Sequence, residues 1–70
     1  MERVGRWERN GGTFWEIHYD SNTFSVRTLY GAFGDPGRYS PIKTFDSGGS
    51  AHIYIDKTIK SKERHYERVI

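Results

Sequence analysis

The amino-acid sequence predicts an α+β fold, an antiparallel sheet of four or five strands with one C-terminal helix packed on one face. Two observations support this prediction. Apolar and polar residues alternate between Thr13 and Tyr30, which is the period of half-buried strands. After Asp46 the apolar residues recur at the longer period of a helix. With 70 residues, the chain is expected to form a single domain over 1–70.

The first clear strand is predicted over residues 13–19. Its apolar and polar positions fall on opposite faces, with Trp15, Ile17 and Tyr19 on one face and Glu16 and His18 on the other. A second strand is predicted over 23–30, with Phe24, Val26 and Tyr30 on its apolar face. The polar residues of 20–22 between the two runs are typical of a turn, so the pair is predicted to be an antiparallel hairpin.

Elements on either side of this hairpin complete the predicted sheet. Residues 3–9, with Val4 and Trp7, are expected to form a preceding strand that ends at a pair of glycines. Residues 39–45 are expected to form a later strand, placed at an edge or started late because of Pro41. The glycine-rich loop 31–37 between them is interpreted as a structural turn in preference to a phosphate cradle, because it lacks the lysine of a P-loop.

The helix is predicted from about Ser47 to Arg64. Its apolar stripe recurs at spacings of three and four, and the Lys62 stem can cover the end of that stripe. The stripe consists of Ala51, Ile55, Thr58, Ile59 and Lys62. Asp46 or Ser47 can cap the first turn, and the chain after the helix is expected to return as a short strand or a docked tail.

The composition points away from an enzyme. There is no cysteine, which excludes disulfides, thiolate zinc sites and thiol nucleophiles. His18, His52 and His65 form no local metal-ligand pattern and are interpreted as ordinary surface histidines. We therefore expect no catalytic residue, cofactor, metal or small-molecule substrate. No membrane-spanning run and no signal peptide are seen, so a cytoplasmic location is expected.

The charge balance is mildly basic. Eleven basic and nine acidic residues give a net charge of +2, which alone does not indicate nucleic-acid binding. Basic residues concentrate in 3–9 and in 57–68. The simpler interpretation of both groups is a solvated surface, and a functional basic patch is the alternative.

Several motifs together resemble the WGR domain family. They are Phe14-Trp15-Glu16-Ile17, Tyr30-Gly31-Ala32-Phe33-Gly34 with Gly37 after it, Lys43-Thr44-Phe45-Asp46-Ser47 before a helix, and Lys62 to Tyr66 at the helix end. They occur in the family's order over nearly the whole chain, and their combination is more specific than any single motif. Two positions depart from the family pattern, because Tyr30 stands at the signature tryptophan and Ala32 at the signature arginine.

The resemblance implies a non-catalytic binding module. WGR domains occur in DNA-break-dependent poly(ADP-ribose) polymerases, where the signature tryptophan packs against sugar-phosphate at a DNA end. In bacteria they also occur as short proteins. A tyrosine keeps a flat ring with a polar tip and can partly replace the indole. An alanine has neither the charge nor the hydrogen bonds of the arginine, so the role of that arginine does not transfer to Ala32.

The expected binding residues surround the glycine loop. They are Tyr30, Gly31, Phe33, Arg38 and Lys43, and the basic residues of 60–68 are possible additions. The leading hypothesis is weak contact with nucleic acid, at DNA ends or along the backbone. The alternative is a protein-interaction module that uses the same aromatic loop, or the sheet face with Phe14, to bind a partner or a larger protein. The sequence alone does not choose between them.

Overall fold

The computed structural model describes all residues, 1–70, and confirms an α+β fold. Three long strands form the centre of one antiparallel sheet: β1 (Glu2–Arg9), β2 (Thr13–Asp20) and β3 (Ser25–Ala32). Two-residue strands extend it: β4 (Arg38–Tyr39), β5 (Lys43–Thr44) and β6 (Glu67–Arg68). The strand order is β4-β3-β2-β1-β6, and β5 also pairs with β3. One helix, α1 (Gly48–Lys62), packs on one face.

The helix begins where its cap predicts. Ser47 has extended backbone and its hydroxyl accepts a hydrogen bond from the Ser50 N–H at 3.2 Å, so Ser47 is the N-cap. The helix ends at Lys62, two residues earlier than expected, and Glu63 follows as the C-cap. The tail then returns to the sheet as β6, which pairs with Trp7 and Glu8 of β1.

The core lies between the helix and one face of the sheet. It is built from six buried residues, with the two tryptophan rings at its centre, 5.1 Å apart. These residues are Trp7, Trp15, Ile17, Val26, Ala51 and Ile55. The apolar stripe predicted for the helix supplies two of them. Aromatic rings of Tyr19, Phe24, Phe45, Tyr54 and Tyr66 pack around this core, which is how a chain with few aliphatic residues fills it.

Trp7 joins three parts of the fold. It is fully buried, and its indole N–H donates a hydrogen bond to the Glu63 carboxylate at 3.1 Å, which connects β1 to the end of the helix. Its ring folds back over Gly5, where a Cβ would lie only 2.8 Å from a ring carbon. The guanidinium of Arg68 lies 4.9 Å from the ring centroid and covers it from the tail.

Two expectations about the strands are wrong in detail. Phe24 was expected within a strand over 23–30, but it lies in the turn before β3 with a φ of +53°, so the strand begins at Ser25, two residues later. The single strand expected over 39–45 is two short strands, β4 and β5, on either side of residues 40–42. Pro41 lies in this interruption, where it has no N–H to donate to the sheet.

The face of the sheet away from the helix is also less exposed than the alternation predicts. Phe14 was expected on an exposed face, yet it is 4% exposed. The Arg6 guanidinium lies 4.3 Å from its ring centroid, and the backbone of Gly31 and Gly37 lies against its edge. Glu16, expected on the solvated side, is 6% exposed for the reason given below. Phe14 is therefore not available as the centre of a partner-binding surface.

Candidate functional site

Three of the five predicted site residues lie on the helix side of the sheet, along β3 and the two short strands that pair with it. Tyr30 on β3 is directly opposite Arg38 on β4, so the two side chains share a face. Lys43 on β5 pairs with Val26 on the same face, and its ammonium lies 4.7 Å above the Tyr54 ring of the helix. Tyr30 is on the same face of the sheet as the core, but it is 47% exposed because it lies near the edge of that sheet.

Next to these residues, an open groove runs between the helix and β3. We call it the tyrosine groove, because Tyr30, Tyr54 and Tyr66 form its walls. Its full lining is Trp15, Thr28, Tyr30, Tyr54, Thr58, Lys62 and Tyr66. Trp15 is buried beneath the groove, and the three tyrosines are partly or largely exposed. The Thr58 hydroxyl donates to the Tyr54 carbonyl at 2.8 Å, so its hydrogen-bonding capacity is satisfied within the helix wall.

Three cations without a salt-bridge partner lie in or beside the tyrosine groove. Lys62 is part of its lining, Lys43 lies over its Tyr54 wall, and Arg38 lies in an adjoining hollow that it shares with Tyr30. The Lys62 ammonium lies 5.6 Å from the Trp15 ring and 5.5 Å from the Tyr66 ring. Arg38 and Lys43 complete the set, and none of the three forms a salt bridge. Cations placed over aromatic faces are attracted by the rings but keep their hydrogen-bond donors free. The groove therefore combines apolar faces with three available positive charges.

The other two predicted residues do not line this groove. Gly31 lies in β3 with its missing side chain directed at the opposite face, where a Cβ would be 3.0 Å from the Gly37 Cα. Gly37 has a φ of +86°, and a Cβ there would be 2.9 Å from both Leu29 and Phe14. These two glycines serve close backbone packing. Phe33 lies at the end of the sheet, 50% exposed, and its N–H donates to the Gly12 carbonyl at 2.7 Å.

Tyr54 and Tyr66 are groove residues that the sequence pattern did not predict, whereas Lys62 belongs to the basic residues of 60–68 that were expected as possible additions to the site. Tyr54 and Thr58 are four residues apart and flank the buried stripe, which is the spacing of neighbours on one helix face. That spacing could have indicated a tyrosine beside the core. Which sheet residue would face it depends on the strand order, and the sequence pattern contains no signal for that order.

The reverse face of the sheet, away from the helix, is held by a charged network around Glu16. One Glu16 oxygen accepts from Arg6 at 2.9 Å and lies 3.6 Å from Arg3, and the other lies 2.9 Å from the His18 ring. Arg6 also donates to Glu8 at 3.0 Å. His18, expected to be an ordinary surface residue, is thus partly buried within this network.

The network changes the acidity of Glu16. Burial by itself raises the pKa of this carboxyl, but hydrogen bonds from Arg6 and His18 and the charges of Arg3 and His18 outweigh burial. The pKa of Glu16 therefore lies below its ordinary value of 4.5. Because the folded state favours the ionised carboxylate, its contribution to stability is complete above pH 4.5 and is lost as the pH falls through the folded-state pKa.

Replacing Glu16 by glutamine should lower the free energy of unfolding by about 2 kcal/mol near neutral pH, because charged hydrogen bonds to Arg6 are lost. The difference in the free energy of unfolding between the two proteins should shrink on acidification, because the Glu16 carboxylate of the natural sequence then becomes protonated and neutral, like the glutamine. Urea unfolding of both proteins at about pH 7 and about pH 3 measures the difference. A deficit that stays constant over this range would contradict the assignment of acid sensitivity to Glu16.

The remaining titratable side chains form no further chemical cluster. His52 is exposed on the helix with its ring 5.1 Å from that of Tyr19, and His65 is exposed after the helix. No group of three or more histidine, aspartate or glutamate side chains is arranged to hold a metal ion. The helix is also too short and too polar to cross a membrane.

Comparisons with protein families, with curated proteins and with solved structures find no match to this chain.

Proposed function

We propose that this chain is a non-catalytic module that binds nucleic acid through the tyrosine groove, with unpaired bases against the tyrosines and phosphates at Arg38, Lys43 and Lys62. The observation that carries the proposal is the coincidence of exposed aromatic faces with three cations that have no acidic partner. Proteins that bind single strands use this combination, because every base has a face that can stack and every nucleotide carries a phosphate.

The distribution of charge supports this site over the rest of the surface. On the reverse face, Arg3 and Arg6 are bound to Glu16, so their charge is largely balanced. No acidic residue lines the tyrosine groove, and the adjoining hollow that contains Tyr30 and Arg38 has one carboxylate, that of Asp35. A phosphate backbone approaching this edge of the sheet therefore meets a net positive surface. The location that fits this role is the cytoplasm, where nucleic acid is accessible.

Kinship with the WGR family is part of the same proposal. Tyr30 stands at the position of the signature tryptophan, and an exposed ring at the border of the groove suits the stacking role implied by that resemblance. We propose that the chain is a divergent member that binds DNA without the signature arginine. Under this proposal, Tyr30→Trp should bind at least as tightly as the natural sequence, since an indole offers a larger stacking surface.

Replacing Tyr30 by alanine should weaken binding of a single-stranded oligonucleotide by about 1–3 kcal/mol, the usual contribution of one stacking ring. Fluorescence anisotropy at low salt measures this, with a natural-sequence Kd expected on the order of 10⁻⁴ to 10⁻⁶ M. Ile53→Ala is the matched control, because Ile53 is 60% exposed on the helix and does not line the groove.

Absence of binding at low salt would reject nucleic acid as the ligand. The rival interpretation, a protein-interaction module that uses the loop with Tyr30 and Phe33, would then stand. The second version of that interpretation, in which a partner binds the sheet face with Phe14, is not supported because the Phe14 ring is buried.

A further inference from the structure

The ribbon formed by β3 and β4 presents a tyrosine and an arginine on each of its two faces. On the helix side, Tyr30 is opposite Arg38. On the reverse side, Tyr39 is opposite Leu29, and the Arg27 guanidinium lies 3.8 Å from the Tyr39 ring centroid. The alternation of a strand produces this arrangement, because neighbouring residues point to opposite faces. A ring with a cation beside it is therefore available on both sides of one sheet edge.

Arg27 differs from the other arginines of the reverse face. Arg3 and Arg6 have carboxylate partners, whereas Arg27 has none, and its buried Nε has no hydrogen-bond partner. Stacking on Tyr39 fixes the plane of the guanidinium, so less side-chain freedom is lost when an anion binds. Tyr39 itself is 52% exposed, which leaves part of the ring for a ligand.

Phe33 directly follows β3, and its ring borders a hollow at the β1–β2 hairpin end that is also lined by Glu8 and Glu67. The ring is half exposed, and the backbone of Phe33 is fixed to the neighbouring hairpin through Gly12. The carboxylates of Glu8 and Glu67 beside this ring, and of Asp35 in the turn that follows, disfavour phosphates across this end of the sheet, so the strands would diverge along the two faces.

We infer that the β3–β4 ribbon binds two nucleic-acid strands, one on each face, so that the preferred ligand is a forked or frayed duplex end with two unpaired arms. This inference rests on the proposed function, since the arm on the helix side occupies the tyrosine groove. It adds a second track on the reverse face, formed by Arg27 and Tyr39. Binding involves no covalent step.

The test compares three labelled DNA probes of shared sequence with the full chain: a single strand, a duplex with one unpaired arm, and a fork with two unpaired arms. The second arm should increase affinity at least about tenfold over the one-armed duplex, because linked contacts bind as one ligand. Tyr39→Ala should remove most of this gain and leave single-strand affinity unchanged. Phe33→Ala should leave this gain unchanged, because Phe33 lies outside both tracks.

The outcomes separate this inference from the proposed function. If the fork binds no better than the one-armed duplex, or if Tyr39→Ala weakens the single strand as much as the fork, the second track does not exist. If none of the probes binds, the proposed function itself fails. Lys57→Gln is the matched charge control, because Lys57 is exposed on the helix outside both tracks. Arg27→Gln gives a second variant of the reverse track, and circular dichroism verifies that each variant is folded.

Discussion

Trp7→Ala should leave the chain largely unfolded at room temperature. Truncating a fully buried tryptophan costs about 3–5 kcal/mol, and a 70-residue domain has a total stability of only about 3.5–10 kcal/mol. Trp7 also holds the helix end through Glu63, so the helix and the sheet should lose stability together. Far-ultraviolet circular dichroism and urea unfolding measure the effect.

Two further variants separate the contribution of the buried ring from that of its hydrogen bond and from the loss of any side chain. Trp7→Phe keeps most of the buried area but loses the hydrogen bond to Glu63, so it should cost clearly less than Trp7→Ala. Ile53→Ala removes an exposed side chain and should change stability by less than about 0.5 kcal/mol. A Trp7→Ala protein with natural-sequence stability would show that the core does not depend on the tryptophan pair.

Removing the three groove cations should have the largest effect on binding. In the triple variant Arg38→Gln, Lys43→Gln, Lys62→Gln, the slope of log K against log salt should be shallower by about 2, since each phosphate contact on a single strand contributes about 0.7. At about 50 mM salt this corresponds to an affinity loss on the order of 100-fold. Titrations at several salt concentrations determine both quantities.

A matched triple variant on the helix provides the control for charge alone. Lys57→Gln, Lys60→Gln, Arg64→Gln removes the same number of charges from exposed positions outside the tyrosine groove. It should change the slope by much less if phosphates bind where we propose. Equal slopes for the two triple variants would mean that binding depends on net charge and not on the groove.

The order and type of the elements could be predicted from the sequence because each has a local cause. The alternation through Trp15, Ile17 and Tyr19 requires a strand with one buried face, and the stripe through Ala51 and Ile55 requires a helix. The turn at Phe24 was misplaced because an aromatic residue rarely adopts a positive φ. Pro41 was expected to place its strand at an edge of the sheet or to delay its start, and not to divide it into two short strands.

The composition of the site could be predicted only in part. Tyr30, Arg38 and Lys43 are near one another in sequence, and all three lie on the helix side of the sheet, so a local argument was sufficient to group them. Tyr54 and Lys62 join them only because the helix packs beside β3, a long-range arrangement without a local signal. The burial of Glu16 was missed for the same reason, since Arg6 reaches it from another strand.

The close approaches at glycine constrain how this sequence can diverge. A methyl group at position 5 would collide with the Trp7 ring. One at position 31 would lie 3.0 Å from the Gly37 Cα, and one at position 37 would collide with Leu29 and Phe14. Substitution at any one of these positions requires a compensating change at its neighbour. Descendants of a common ancestor should therefore retain Gly5 with Trp7, and Gly31 with Gly37, as linked pairs while the surrounding surface drifts. A search profile weighted on those pairs would detect distant homologues better than overall identity.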